Sequence, residues 1–238
     1  MRLKVLLPFL LLLCIATASR QSAPSLAGSW RMVQDGPLSI VFVLSDGYMM
    51  GAYFEANRFI GAQGGTYTVD GKQLKINFEF STEDSTDVGT TQTLLIDSFK
   101  NNKLVLSNDG DTDTYERMDA PTAQTPMAGL WRITGNIDDN GQVKTRQRTA
   151  RKTLKLLTGN RFQWAAINPE TKQFSGTAGG TYTFVNGKYT EKLEFFSRDD
   201  KRVGKSLQFD AELKGDDWYH RGQSSTGGKV SEVWSREK

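Results

Sequence analysis

The chain repeats itself. Leu26-Ala-Gly-Ser-Trp30-Arg-Met32 returns in the second half as Met127-Ala-Gly-Leu-Trp131-Arg-Ile133. Gly64-Gly-Thr-Tyr67-Thr68 returns as Gly179-Gly-Thr-Tyr182-Thr183, and Val88-Gly89 as Val203-Gly204. Each copy closes on an aromatic, one residue and an arginine: Tyr115-Glu-Arg117 and Trp234-Ser-Arg236. Landmarks kept in one order mean two copies of one folding unit. The copies occupy residues 26–119 and 127–238. Residues 120–126 carry prolines and no large apolar side chain, the composition of a linker.

The period inside each copy is two. Leu74, Ile76, Phe78 and Phe80 alternate with Lys75, Asn77 and Glu79, and Leu207, Phe209, Ala211 and Leu213 with Gln208, Asp210 and Glu212. That is the pattern of strands with one face in a core and one in water. Asp46-Gly47, Asp70-Gly71 and Asn186-Gly187 read as tight hairpin turns, and no helical stripe follows the first residues. The turn spacing gives about eight antiparallel strands per copy, enough to close a barrel and remove its edges.

The N-terminus bears on compartment. Arg2 and Lys4 precede an apolar core from Leu6 to Ile15, and Ala16-Thr17-Ala18 is a small-residue cleavage site. Residues 1–18 therefore read as a cleavable signal peptide, and the expected location is secreted or periplasmic. Cys14, the sole cysteine, is followed by this site and preceded by Leu13, which disfavours a lipoprotein signal. No segment is apolar for long enough to span a bilayer as a helix. After cleavage the chain has no thiol, and it has a single histidine, His220. Most nucleophile–base sites and histidine-rich metal sites are thereby excluded. No catalytic residue, metal or cofactor is assigned, and the expectation is a non-enzyme.

Gly28-Ser29-Trp30 and Gly129-Leu130-Trp131, each opening a first strand, resemble the Gly-x-Trp signature of lipocalins and the wider calycin superfamily. The Gly-Gly-Thr-Tyr-Thr core and terminal Val-Trp-x-Arg resemble an uncharacterised lipocalin-like family of secreted Bacteroidetes proteins. The resemblance implies an all-β fold: two tandem small antiparallel lipocalin-like β-barrels after the signal peptide. It also implies that Arg117 stacks on Trp30, and Arg236 on Trp131, to close each barrel floor. The usual lipocalin disulfide and C-terminal helix are absent, which sets the expected cavity size below the usual one.

Alternation places Trp218 and His220 on one face and Glu191 in register with Leu193 and Phe195. With Phe162, Trp164, Tyr182 and Phe209 these residues form a candidate ligand pocket in the second barrel. The other reading is a packed core with a hydrated polar end. Charge also divides the copies: residues 26–119 carry 7 Lys+Arg against 14 Asp+Glu, and residues 120–238 carry 20 against 13, so their nets are −7 and +7. Attraction between the barrels is the preferred explanation. The alternative is an anionic partner, a lipid headgroup or acidic glycan but not nucleic acid, met by Lys144, Arg146, Arg148, Arg151 and Lys152. The expected function is binding of a small apolar or amphipathic molecule in barrel 2. The rival is a structural or interaction module of the cell envelope with solid cores.

Overall fold

The computed structural model describes residues 25–119 and 125–237; the signal-peptide residues and most of the linker lie outside these. Strands β1 (Gly28–Met32), β2 (Leu38–Ser45), β3 (Tyr48–Glu55), β4 (Arg58–Asp70), β5 (Gln73–Ser81), β6 (Thr91–Lys100), β7 (Lys103–Asn108) and β8 (Asp111–Arg117) form a closed antiparallel barrel. The second barrel uses β9 (Gly129–Ile137), β11 (Lys152–Leu157), β12 (Arg161–Asn168), β13 (Gln173–Val185), β14 (Lys188–Phe196), β15 (Ser206–Lys214), β16 (Asp217–Gln223) and β17 (Lys229–Arg236). It closes through β9–β17 pairing, and the short β10 (Val143–Thr145) is added to β9 from the longer first loop. Both copies are therefore eight-stranded barrels, without α-helix among the described residues.

Tight turns follow from residues that tolerate positive φ. Asp46-Gly47 (φ 48° and 71°) and Asn186-Gly187 (φ 50° and 72°) each make a two-residue hairpin whose twist matches the flanking strands. The paired glycines do two separate things. At the second of each pair, Gly65 and Gly180, the β4–β5 and β13–β14 ladders shift register. A Cβ there would sit 1.9 Å from the Asn77 carbonyl oxygen or 2.1 Å from that of Lys192, so only glycine fits. At the first, Gly64 and Gly179, the absent side chain leaves room for the rings of Phe80 and Phe195.

Those two rings stand in a third hydrophobic core, between the barrels. Val41, Val43, Met50, Ala52, Phe54 and Phe80 of barrel 1 pack with Leu154, Leu156, Ala165, Ile167 and Phe195 of barrel 2. The contact is pseudo-symmetric. The two registers make Phe80 equivalent to Phe195 and Phe59 to Phe174. Phe80 stacks on Phe174 across the seam at 6.0 Å, and Phe195 stacks on Phe59 at 6.3 Å. Equivalent surfaces meeting in this way form an isologous interface, the kind a two-fold dimer uses. The charge-driven docking expected from the sequence is thus a minor part. Lys152 pairs with Glu79 at 2.8 Å at the edge of an apolar contact.

Polar contacts at the two ends fix the relative orientation. Asp46 and Asp119, at the closed end of barrel 1, accept from the Leu130 and Gly159 amides at the closed end of barrel 2. At the opposite end the Phe59 amide donates to Asp200. The barrels lie side by side, and their open ends face the same way.

Candidate functional site

Each barrel is closed at one end by its Gly-x-Trp tryptophan. Trp30 and Trp131 are completely buried, and their indole N–H groups donate to the Leu26 and Met127 carbonyls. The Arg117 guanidinium lies 4.3 Å from the Trp30 ring centre, and that of Arg236 lies 4.1 Å from Trp131. Both arginines also donate to backbone carbonyls, Arg117 to Ala27 and Arg236 to Ala128 and Pro126. The cation stays paired while it covers an aromatic face.

Above the Trp131 floor, barrel 2 holds a cavity of about 610 Å³ that is open at the mouth. Of the residues expected to form a pocket, Trp164, Glu191, Phe209 and His220 line it. Phe162, Tyr182 and Trp218 instead pack in the core beneath, and Tyr182 donates to the Thr158 carbonyl at 2.6 Å. The sequence reading missed Lys155, Phe196 and Trp234, which also line the cavity. Lysine is so seldom buried that Lys155 passes for an outward position within Thr153-Leu-Lys-Leu-Leu157. The only available signal was its register opposite Trp131.

Lys155 carries the charge of the interior. Its Nζ donates to Glu191 at 2.7 Å, and both side chains are about one-twentieth exposed. It also stands 4.9–5.8 Å from the ring centres of Phe162, Tyr189, Trp218 and Trp234. A buried ion pair needs such additional partners to offset desolvation. Burial, and next the Glu191 carboxylate, push the Tyr189 phenol well above its ordinary value.

His220 stacks on Trp218 at 4.8 Å and meets the edge of Phe209 at 4.1 Å. Burial, and then the Lys155 cation, hold its imidazole well below the ordinary 6.5, so the ring is neutral at physiological pH. Neither ring nitrogen has a hydrogen-bond partner among the described residues. The Trp218 indole N–H and Tyr189 hydroxyl beside it are also without a partner in bonding geometry. Each buried orphan of this kind costs about 1–3 kcal/mol. Of these three residues His220 lines the cavity, and Trp218 and Tyr189 belong to the packed core beneath it.

The rim is cationic. Arg202 is paired with Asp199 at 3.0 Å. Arg198 lies over Trp164 and donates through Nε to the Ser175 carbonyl, while Arg146 donates to Asn136. Neither makes an ion pair among the described residues. Arg148, Arg151 and Lys152 line a neighbouring open pocket together with Arg132 and Arg146. Lys144 pairs with Asp138 and Arg148 with Glu237. Lys152 also pairs with Glu79 at the edge of the inter-barrel seam.

Barrel 1 has its own cavity, of about 350 Å³, at the equivalent end. The repeat registers put Phe42 where barrel 2 has Lys155, and Ile76 where it has Glu191. Leu74, Leu104 and Leu106 likewise replace Tyr189, Trp218 and His220. At these five positions barrel 1 is apolar and uncharged, and barrel 2 is aromatic and charged.

Neither cavity presents three or more grouped metal-ligating side chains among the described residues. No helix there is long and apolar enough to cross a membrane. No family model and no curated protein matches the chain. Among solved structures, the DNA polymerase III β subunit of Thermotoga maritima aligns over 92% of this chain and 79% of its own at 14% identity. Its TM-score is 0.15, too low to imply a common fold.

Proposed function

We propose that the protein is an exported, lipocalin-like, non-enzymatic binding protein that holds a small, partly apolar ligand in barrel 2. The supporting observation is an open cavity of about 610 Å³ walled by Trp164, Phe196, Phe209 and Trp234, with His220 and the Lys155–Glu191 pair among its lining. That volume is within the range of small-molecule sites, about 300–1,000 Å³. Neutral His220 offers one donor and one acceptor, which suits a hydroxyl or carbonyl group on a flat or apolar body. A solid-cored envelope module would not have this volume. Export rests on the signal-peptide pattern of the first residues.

Native mass spectrometry of freshly purified protein tests the proposal, followed by thermal-shift titration against lipid and aromatic libraries. Ala166 lines the cavity, and Ala166→Trp would fill part of it. Aromatic ligands that raise the melting temperature of the natural chain should fail with this variant. A library without a single stabilising compound, together with no retained small molecule, would sink the proposal.

A further inference from the structure

We infer that barrel 1 is a second ligand site, selective for positive charge: its cavity fits an aliphatic amine. The inference is independent of the reading of barrel 2. Leu44, Met49, Leu74, Leu104 and Leu106 are buried around the lower part, and Phe42, Tyr53 and Tyr115 complete the apolar wall. No lysine or arginine lines this cavity, whereas Asp111 and Asp113 do.

Strand alternation explains how the carboxylates reach the rim. Asp111, Asp113 and Tyr115 follow one another on the face of β8 that also carries Arg117, and that face points into the barrel. Asp113 accepts from the Tyr115 hydroxyl at 3.4 Å, and neither aspartate forms an ion pair among the described residues. Barrel 2 repeats the device, since Trp234 Nε1 donates to Glu232 two residues earlier on β17. There, however, Arg146 and Arg198 stand at the same rim. The two cavities thus share a floor and a geometry and differ in the sign of the mouth. An ammonium group between Asp111 and Asp113 would leave its alkyl chain against the leucines.

Octylamine, octanol and octanoate, titrated separately into the full chain, test this. Octylamine should bind and shift backbone amide resonances of β1 and β6–β8. Asp111→Asn with Asp113→Asn should weaken octylamine roughly three- to tenfold, the effect of two partly solvated charges at contact distance, and leave octanol unchanged. Both aspartates are at the surface or only partly covered, so this variant retains the fold. Octylamine binding should persist in Ala166→Trp, which separates this site from barrel 2. Octanoate perturbing barrel 1 as strongly as octylamine, or an unchanged octylamine affinity in the double variant, would overturn the charge selection. Absence of any octylamine-induced shift in β1 and β6–β8 would overturn the site itself.

Discussion

Lys155 and Glu191 are ion-paired at 2.7 Å inside barrel 2, at the two positions where barrel 1 places Phe42 and Ile76. The repeat therefore contains both solutions to the same packing problem, one ionic and one apolar. Glu191→Gln or Lys155→Met alone should cost about 3–5 kcal/mol, because each leaves an uncompensated charge in the interior. Lys155→Phe with Glu191→Ile should recover most of that loss. Denaturant unfolding of the single and double variants measures the coupling. Additive losses would mean that the two groups act separately.

The barrel floors make a second prediction. Trp131→Ala empties a fully buried site and should cost about 3–5 kcal/mol. Arg236→Met keeps much of the volume but removes the guanidinium from two carbonyls and from the indole face. It should cost about 1.5–3 kcal/mol in the same unfolding measurement. Wild-type stability in either variant would contradict the role of the pair.

His220 links stability to pH. Its folded-state pKa is depressed, so the unfolded chain binds a proton below 6.5 that the folded chain does not. Its contribution is full above that pH and declines as pH falls, by at most about 1.4 kcal/mol per pH unit. As the only histidine, it gives one imidazole resonance that can be followed directly. That resonance should stay neutral through pH 6, and His220→Phe should flatten the stability profile between pH 7 and 5. A resonance titrating near 6.5 would show that the ring is solvated.

The seam between the barrels predicts behaviour without the covalent link. A protease site introduced within residues 120–124 and then cut should leave two halves that elute together, at low and at high salt alike. Apolar contacts are insensitive to ionic screening. Phe195→Asp, placed against Phe54 and Phe59, should separate the cut halves. Dissociation of the unsubstituted halves by salt alone would restore electrostatics as the main attraction.

The strand pattern, the hairpin turns and both barrels were legible from the repeat and its alternation. The repeated Gly-Gly marks the same place in both copies, and the register shifts fall there. The seam was not read, although Leu38-Ser-Ile-Val-Phe-Val-Leu44 carries its trace. An antiparallel strand that is apolar on both faces must be covered on both. Val41 and Val43 point to the other barrel while Leu44 points inward. Half of the candidate site was hidden for a related reason. Whether Trp164 faces a cavity and Trp218 a packed floor depends on depth along the barrel, which alternation does not encode.

The exchange of Lys155 and Glu191 for Phe42 and Ile76 also guards against misassembly. Tandem copies of one fold can trade equivalent strands while folding, and β2 and β11 are equivalent. A trade would bury Lys155 beside Ile76 without a counter-charge and leave Glu191 facing Phe42. Each mismatch strands a charge in an apolar interior, at a cost of several kcal/mol. Correctly sorted barrels incur neither cost, so the same divergence that distinguishes the two interiors keeps each strand in its own half of the chain.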